Sequence, residues 1–214
     1  EVQRRLRQKN FDTIRSNPMI CGYNLTGLLD HALTGEGLWT YWRRLKPGMG
    51  DIVPEGFAPL RWCIFCEKNH VYAKKSFKVE AVLANEDVLK PGKYPARFKL
   101  RGPDGIVWEK KCDITLPEKG YGGMPPLAVK VLDEDISIDK AGTYEFAAYL
   151  SDGGAPRGGR QIIYVSDPDE PTQDIALSLS GIDENTASFL ASKGVFADAA
   201  SELTFAGSVD GDEI

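Results

Sequence analysis

Residues 94–111, YPARFKLRGPDGIVWEKK, decide the fold class. Ala96, Phe98 and Leu100 alternate with Arg97, Lys99 and Arg101, so an extended backbone sends an apolar set to one face and a basic set to the other. Gly102, Pro103, Asp104 and Gly105 follow as a turn with a mechanism: the proline ring fixes one backbone angle and glycine supplies a positive φ. Ile106, Val107 and Trp108 then open a second extended run. The stretch therefore predicts a β-hairpin.

Working outward, further short runs carry the same signature. Residues 60–66 (LRWCIFC), 77–83 (FKVEAVL), 127–131 (LAVKV), 136–138 (ISI), 142–150 (GTYEFAAYL) and 160–165 (RQIIYV) are strand-like, with turn chemistry between them. About seven short strands over about a hundred residues is the pattern of an immunoglobulin-like β-sandwich, expected here over residues 59–166. Tyr144 is either a tyrosine-corner residue or a plain core aromatic.

Before the sandwich, Val2, Leu6 and Ile14 fall at helical spacing with Phe11 three before Ile14, and basic residues lie mostly between them. That predicts one apolar stripe on a helix over residues 2–16. Asn17-Pro18 stops it, because the residue before proline avoids the helical region. Residues 19–27 (MICGYNLTG) read as a buried strand. Residues 28–59 contain Gly35, Gly37, Pro47, Gly48, Gly50, Pro54 and Gly56 and read as irregular, with Trp39, Tyr41, Trp42 and Phe57 packed onto neighbouring structure. A helix followed by a buried strand is half of an α/β unit, which makes this part look like a piece of something larger.

After the sandwich, residues 166–172 (SDPDEPT) are acidic and proline-rich, a linker by composition. Residues 175–182 are strand-like, and Asp183 or Glu184 is placed to cap a helix that ends at Gly194. That gives the opening of a βαβ unit which the remaining residues are too few to complete, with a mobile acidic tail from Ser208. No internal repeat and no low-complexity segment is present.

Composition excludes several classes of partner. The 214 residues carry a net charge of -5 and are 42% hydrophobic, enough for a packed core. Without a basic footprint, neither nucleic acid nor an anionic membrane surface is an expected partner. No apolar run approaches the roughly 20 residues of a membrane-spanning helix, and the first residues have no signal-peptide core, so a cytoplasmic location is expected. Of the four cysteines, Cys63 and Cys66 sit in a strand-like run where positions three apart face opposite ways, and no second pair follows. Cys21, Cys63, Cys66 and Cys112 are expected as buried reduced thiols rather than disulfides or a metal site. No cofactor is expected: the glycines make neither a phosphate loop nor a dinucleotide motif.

Catalysis finds no complete constellation. Asp30 and Glu36 lie on one loop, and a structural role for Asp30, accepting backbone N–H groups in a tight turn, outweighs a role in a carboxylate pair. His31 adjoins Asp30, but adjacent residues rarely face each other and no nucleophile is assigned to them. His70 reads as a solvent-facing loop residue. Trp39 and Trp42 suit either sugar stacking or the covering of apolar surface.

Residues 16–31 (SNPMICGYNLTGLLDH) with 34–39 (TGEGLW) resemble the last barrel strand and following loop of a bacterial branch of the family 2 glycoside hydrolases. Residues 59–62 (PLRW), 80–87 (EAVLANED) and 153–156 (GGAP) are similar to the immunoglobulin-like domain those enzymes carry after the barrel. From Ile175 the chain resembles the start of a further α/β domain of the flavodoxin or glutamine-amidotransferase type. The resemblance implies a mainly β chain in three parts: a barrel remnant over residues 1–58, the sandwich over 59–166, and a linker with a truncated α/β start over 167–214.

It also implies a retaining mechanism with two glutamates near the ends of the fourth and seventh barrel strands, both upstream of Glu1. No catalytic residue is then expected here. The rim of the sugar site falls on Asp30, His31 and Trp39 as substrate-binding residues, with Asn24 and Thr26 inside the barrel. The expected function is the C-terminal accessory portion of a β-galactosidase- or β-glucuronidase-like hydrolase, inactive alone, with carbohydrate as the partner of the intact enzyme. An unpaired barrel strand would expose apolar surface and promote self-association. The alternative is a non-catalytic β-sandwich module that binds carbohydrate or protein.

Overall fold

The computed structural model describes residues 2–20, 22–31, 33–152, 154–168 and 175–207. Cys21, residues 169–172 of the expected linker and the acidic tail from Ser208 lie outside the described residues. The chain forms two compact units, Glu1–Ser166 and Asp167–Ile214.

The first unit is a β-sandwich of the expected immunoglobulin-like kind. One sheet contains β1 (Leu60–Cys66), β3 (Ser76–Asn85), β6 (Ala128–Ser137) and the short β8 (Arg157–Gly158), in the order β6-β3-β1-β8. The other contains β2 (His70–Tyr72), β4 (Gly92–Gly102), β5 (Gly105–Leu116), β7 (Gly142–Leu150) and β9 (Arg160–Ser166), in the order β2-β9-β7-β4-β5. Ala96, Phe98 and Leu100 point inward as their alternation requires, and Gly105 takes a φ of 113° at the end of the Pro103-Asp104 turn. Between the sheets, Trp62 of β1 meets Phe98 of β4 edge to face, with ring centroids 5.4 Å apart. Phe77, Val79, Leu83, Phe146 and Ile163 fill the same core.

Two of the expected runs are one strand. Residues 127–131 and 136–138 read as separate because Asp133, Glu134 and Asp135 interrupt the apolar pattern. In β6 the backbone pairs with β3 straight through that stretch, and Asp133 is taken up by Lys78 and Lys130 on the exposed side. His70 is likewise in a strand rather than a loop, exposed and stacked on Tyr164 at 4.8 Å.

Tyr144 is both a core aromatic and a corner residue. It is buried, and its hydroxyl donates to the Lys140 carbonyl at 2.9 Å. Tyr94 does the same to the Lys90 carbonyl at 2.8 Å. Each bond spans four residues within a Lys-X-Gly-X-Tyr pattern, so one local device ties down the start of β4 and the start of β7. Gly102 is required beside it, since a Cβ there would lie 2.3 Å from the Tyr144 ring.

The four-stranded sheet has a second apolar face. β1 is buried along nearly its whole length, the pattern of a strand covered on both sides. Its even residues, Trp62 and Ile64, face the sandwich core. Its odd residues, Arg61 and Cys63, face outward with Val82, Ala84 and Ala128. Helix α1 (Val2–Arg15) packs against β1 on that side. The expected helix thus forms a third layer.

The buried strand expected over residues 19–27 does not form. Residues 22–27 are irregular, alternating exposed and half-buried. A buried strand needs partners for its ladder of N–H and C=O groups, and no described strand lies beside this one. Helix α2 (Met49–Gly56) was not expected among so many glycines and prolines. Met49 and Ile52, one turn apart, anchor it in the interior, and eight residues are short enough to tolerate Pro54.

The second unit holds β10 (Ile175–Ser180), α3 (Glu184–Ser192), β11 (Val195–Ala197) and β12 (Thr204–Ala206). The expected opening strand and helix are present, and Asp183 caps the helix by accepting the amides of Asn185 and Thr186 at 2.9 and 3.0 Å. The unit goes further than expected: β11 and β12 flank β10 as parallel partners. Among the described residues no helix is long and apolar enough to cross a membrane.

Candidate functional site

Asp30, His31 and Trp39 come together on one bridged loop of the first unit. The Asp30 amide donates to the Trp39 carbonyl and the Trp39 amide donates to the Leu28 carbonyl, each at 3.0 Å. His31 and Thr34 exchange backbone bonds at 3.2 Å. Gly37 admits this approach, because a Cβ there would sit 2.4 Å from the Asp30 nitrogen. Trp39 is 37% exposed and His31 is exposed.

Asp30 is engaged rather than available. Its Oδ1 accepts the Gly37 amide at 2.9 Å and the Lys46 ammonium at 2.8 Å. Lys46 also donates to the Gly35 carbonyl at 2.6 Å. The Lys46 hydrogen bond, helped by the Gly37 amide, lowers the Asp30 pKa below the ordinary carboxylate value. A carboxylate so held is a poor general acid and a good brace for the loop. Glu36 points its side chain back across Gly27 and is exposed. Asn24 and Thr26, expected inside a barrel, are exposed in the irregular segment.

Helix α1 supports the same loop from beneath. Gln3 donates to the carbonyls of Gly35 and Gly37 at 3.2 Å, and Arg7 donates to that of Glu36. Neither these residues nor Lys46 was legible as part of the site. They lie 11 or more positions from their partners, and no periodicity links a helix to an irregular loop.

The loop is tied to the sandwich through a buried polar node. Asp12 of α1 pairs with Arg61 of β1, their side chains 4% and 1% exposed. The Gly56 carbonyl at the end of α2 accepts from Arg15 at 3.0 Å, Tyr23 at 3.1 Å and, more weakly, Arg61 at 3.5 Å. Phe11, Tyr23 and Phe57 pack ring on ring beside it, with centroids 5.1–6.0 Å apart. Burial raises the Asp12 pKa to about 7, against the opposing pull of Arg61 and with the Glu55 charge adding to the rise.

Cys63, Cys66 and Cys112 are free thiols. Burial pushes Cys63 and Cys66 up to about 12, so neither is a ready nucleophile or metal ligand. The described residues contain no group of three or more His, Cys, Asp or Glu placed to hold a metal ion.

No family model matches the chain, and no curated protein matches it. Solved structures do. A CARDB domain from Pyrococcus furiosus, crystallised with di-metal ions, is 12% identical over 50% of this chain and 91% of that domain, with a TM-score of 0.37. An alkylpurine DNA glycosylase from Pseudomonas fluorescens is 9% identical over 55% of this chain and 36% of its own, with a TM-score of 0.36. A cycloisomaltooligosaccharide glucanotransferase from Paenibacillus sp. is 15% identical over 58% of this chain and 16% of its own, with a TM-score of 0.37. At these identities and scores the likenesses carry nothing about the activity of this chain.

Proposed function

We propose that the chain is the C-terminal accessory portion of a retaining glycoside hydrolase of the family 2 type, β-galactosidase- or β-glucuronidase-like, and that it has no glycosidase activity by itself. The observation that carries this reading is the sequence of residues 16–39, which resembles the last barrel strand and loop of that family. Two features of the molecule support it. Trp39 and His31 stand at the surface of a loop braced by Asp30, Lys46 and α1, an arrangement that suits a sugar-contacting rim and offers no nucleophile. The loop is also fastened to the sandwich through Asp12, Arg61 and Gly56, as a rim held in place by an accessory domain would be.

In this reading Trp39 and His31 contact substrate and Asp30 positions them, while acid/base and nucleophilic glutamates come from the barrel. A cytoplasmic location belongs to the same proposal. Self-association does too, through the exposed Met19, Leu28, Leu33 and Trp42. The test is direct. The purified chain should turn over no chromogenic β-galactoside or β-glucuronide, and Trp39→Ala in the intact enzyme should raise KM. Turnover by the chain alone, or unchanged KM and kcat in the variant, would refute it. A strictly monomeric light-scattering profile at high concentration would remove the self-association element.

A further inference from the structure

A cavity of about 280 Å³ lies between one face of α1 and the irregular segment that follows Gly22, and none of Asp30, His31 and Trp39 lines it. Arg7, Asn10 and Ile14 reach it from the helix at steps of three and four, and Tyr23, Asn24 and Leu25 close it from the other side. Its volume is near the lower end of small-molecule sites, roughly 300 Å³. Ile14, Tyr23 and Leu25, with Phe11 beside them, give it an apolar wall. Among the described lining residues Arg7 is the one charged side chain, so a single cation faces that wall with no carboxylate against it.

The polar groups of this cavity are in place and underused. Arg7 spends one donor, Nη2, on the Glu36 carbonyl, and its Nε is buried with no acceptor among the described residues. No hydrogen bond among the described residues engages the carboxamides of Asn10 and Asn24. The facing wall is anchored: the Tyr23 hydroxyl donates to the Gly56 carbonyl at 3.1 Å, and its ring stacks on Phe57 with centroids 5.1 Å apart. A ligand therefore meets a surface that is already set. A buried guanidinium N–H without an acceptor costs free energy, and a carboxylate supplies the acceptor that the guanidinium fork fits best.

We propose that this cavity binds a small monocarboxylate with a compact apolar body, the class to which simple aromatic acids belong. The carboxylate meets Arg7, with Asn10 and Asn24 as further donors, and the apolar body lies against Ile14, Tyr23 and Leu25. The site shares no residue with the Trp39 and His31 rim and stands independently of the glycosidase reading. The test is calorimetric titration of the purified chain with benzoate, with benzamide and acetate as partial probes. Benzoate should bind saturably in the millimolar range, about tenfold or more tighter than benzamide, which lacks the charge, and than acetate, which lacks the ring. Arg7→Gln keeps an N–H for the Glu36 carbonyl and removes the charge, and should bring benzoate down to the level of benzamide.

Asn24 is exposed in an irregular segment, so Asn24→Trp should fold, keep the unfolding midpoint of the parent, and fill the cavity, weakening benzoate about tenfold or more. Arg101→Gln removes an exposed cation outside the lining and should stay within about twofold of the parent. Absence of saturable benzoate binding would overturn the proposal, and so would binding of benzamide or acetate as tight as that of benzoate. Unchanged affinity in a folded Asn24→Trp variant, or equal weakening by Arg101→Gln and Arg7→Gln, would overturn it as well.

Discussion

Phe98, Phe146 and Leu83 in the sandwich are wholly shut off from solvent, whereas Leu28, Trp42 and Leu33 in the preceding segment stand 64%, 79% and 97% exposed. The residue types are comparable, but the means of holding them differ. In the sandwich, period-two alternation and long ladders such as β4–β5 put the inward-facing apolar groups against one another. In residues 17–57, glycines make close backbone approaches possible, and a few polar groups, Asp30, Lys46, Gln3, Asp12 and Arg15, fix the path. Apolar burial specifies the first region; in the second it holds α2 through Met49 and Ile52, and individual hydrogen bonds and ion pairs specify the loop.

The largest expected effect lies in the sandwich. Phe98→Ala should cost about 3–5 kcal/mol in chemical denaturation, because the ring fills the space between Trp62 and Phe146. A loss under about 1 kcal/mol would show that the two sheets are not held as the ring contacts indicate. Next comes the polar node. At pH 8, Asp12→Ala should cost about 3 kcal/mol by leaving Arg61 buried without its partner. Limited proteolysis should then cut α1 before the sandwich unfolds.

The same carboxyl sets a pH dependence. Its pKa rises from 3.8 to about 7 on folding, so between those values the folded chain holds a proton that the unfolded chain has released. The proton-linked part of the Asp12 contribution is therefore fully present below about pH 4 and is lost as pH rises through about 7, leaving the pairing with Arg61 that the pH 8 comparison reads. Arg61, Arg15, Glu55 and Cys63 are the other charged or titratable groups around it. Asp12→Asn should flatten that part of the stability profile, and an unchanged slope would assign it to other groups.

Smaller effects complete the contrast. Tyr144→Phe should cost about 1 kcal/mol by orphaning the Lys140 carbonyl while keeping the ring. Leu33→Ser, on the exposed loop, should fall within about 0.5 kcal/mol of the parent in the unfolding midpoint. A large loss there would mean that the segment is packed and the contrast false.

The same division explains what could be read in advance. Alternation in residues 94–101 and the Gly-Pro-Asp-Gly turn disclosed the hairpin, and the stripe of Leu6, Phe11 and Ile14 disclosed α1, since both patterns are local consequences of backbone geometry. LRWCIFC read as a strand, but nothing in it said that both of its faces are covered or that α1 covers the second. Asp30 was read as a brace and is one, but Lys46 was invisible, because a contact across 16 irregular residues leaves no periodic trace. The strand expected over residues 19–27 was misread for a related reason. An apolar run is only a candidate for a sheet, and membership depends on partners elsewhere.

Strand β1 separates two environments, and this makes it an instrument. Trp62 lies in the sandwich core, so its fluorescence reports on global unfolding. Cys63, the next residue, lies under α1, so its thiol becomes reactive when the helix lifts. In a variant that keeps Cys63 as its one thiol and Trp62 as its one indole, the rate of thiol labelling and the change in indole emission would give the free energies of helix opening and of whole-domain unfolding separately. Adjacent positions in the chain thereby resolve two cooperative steps without any introduced probe.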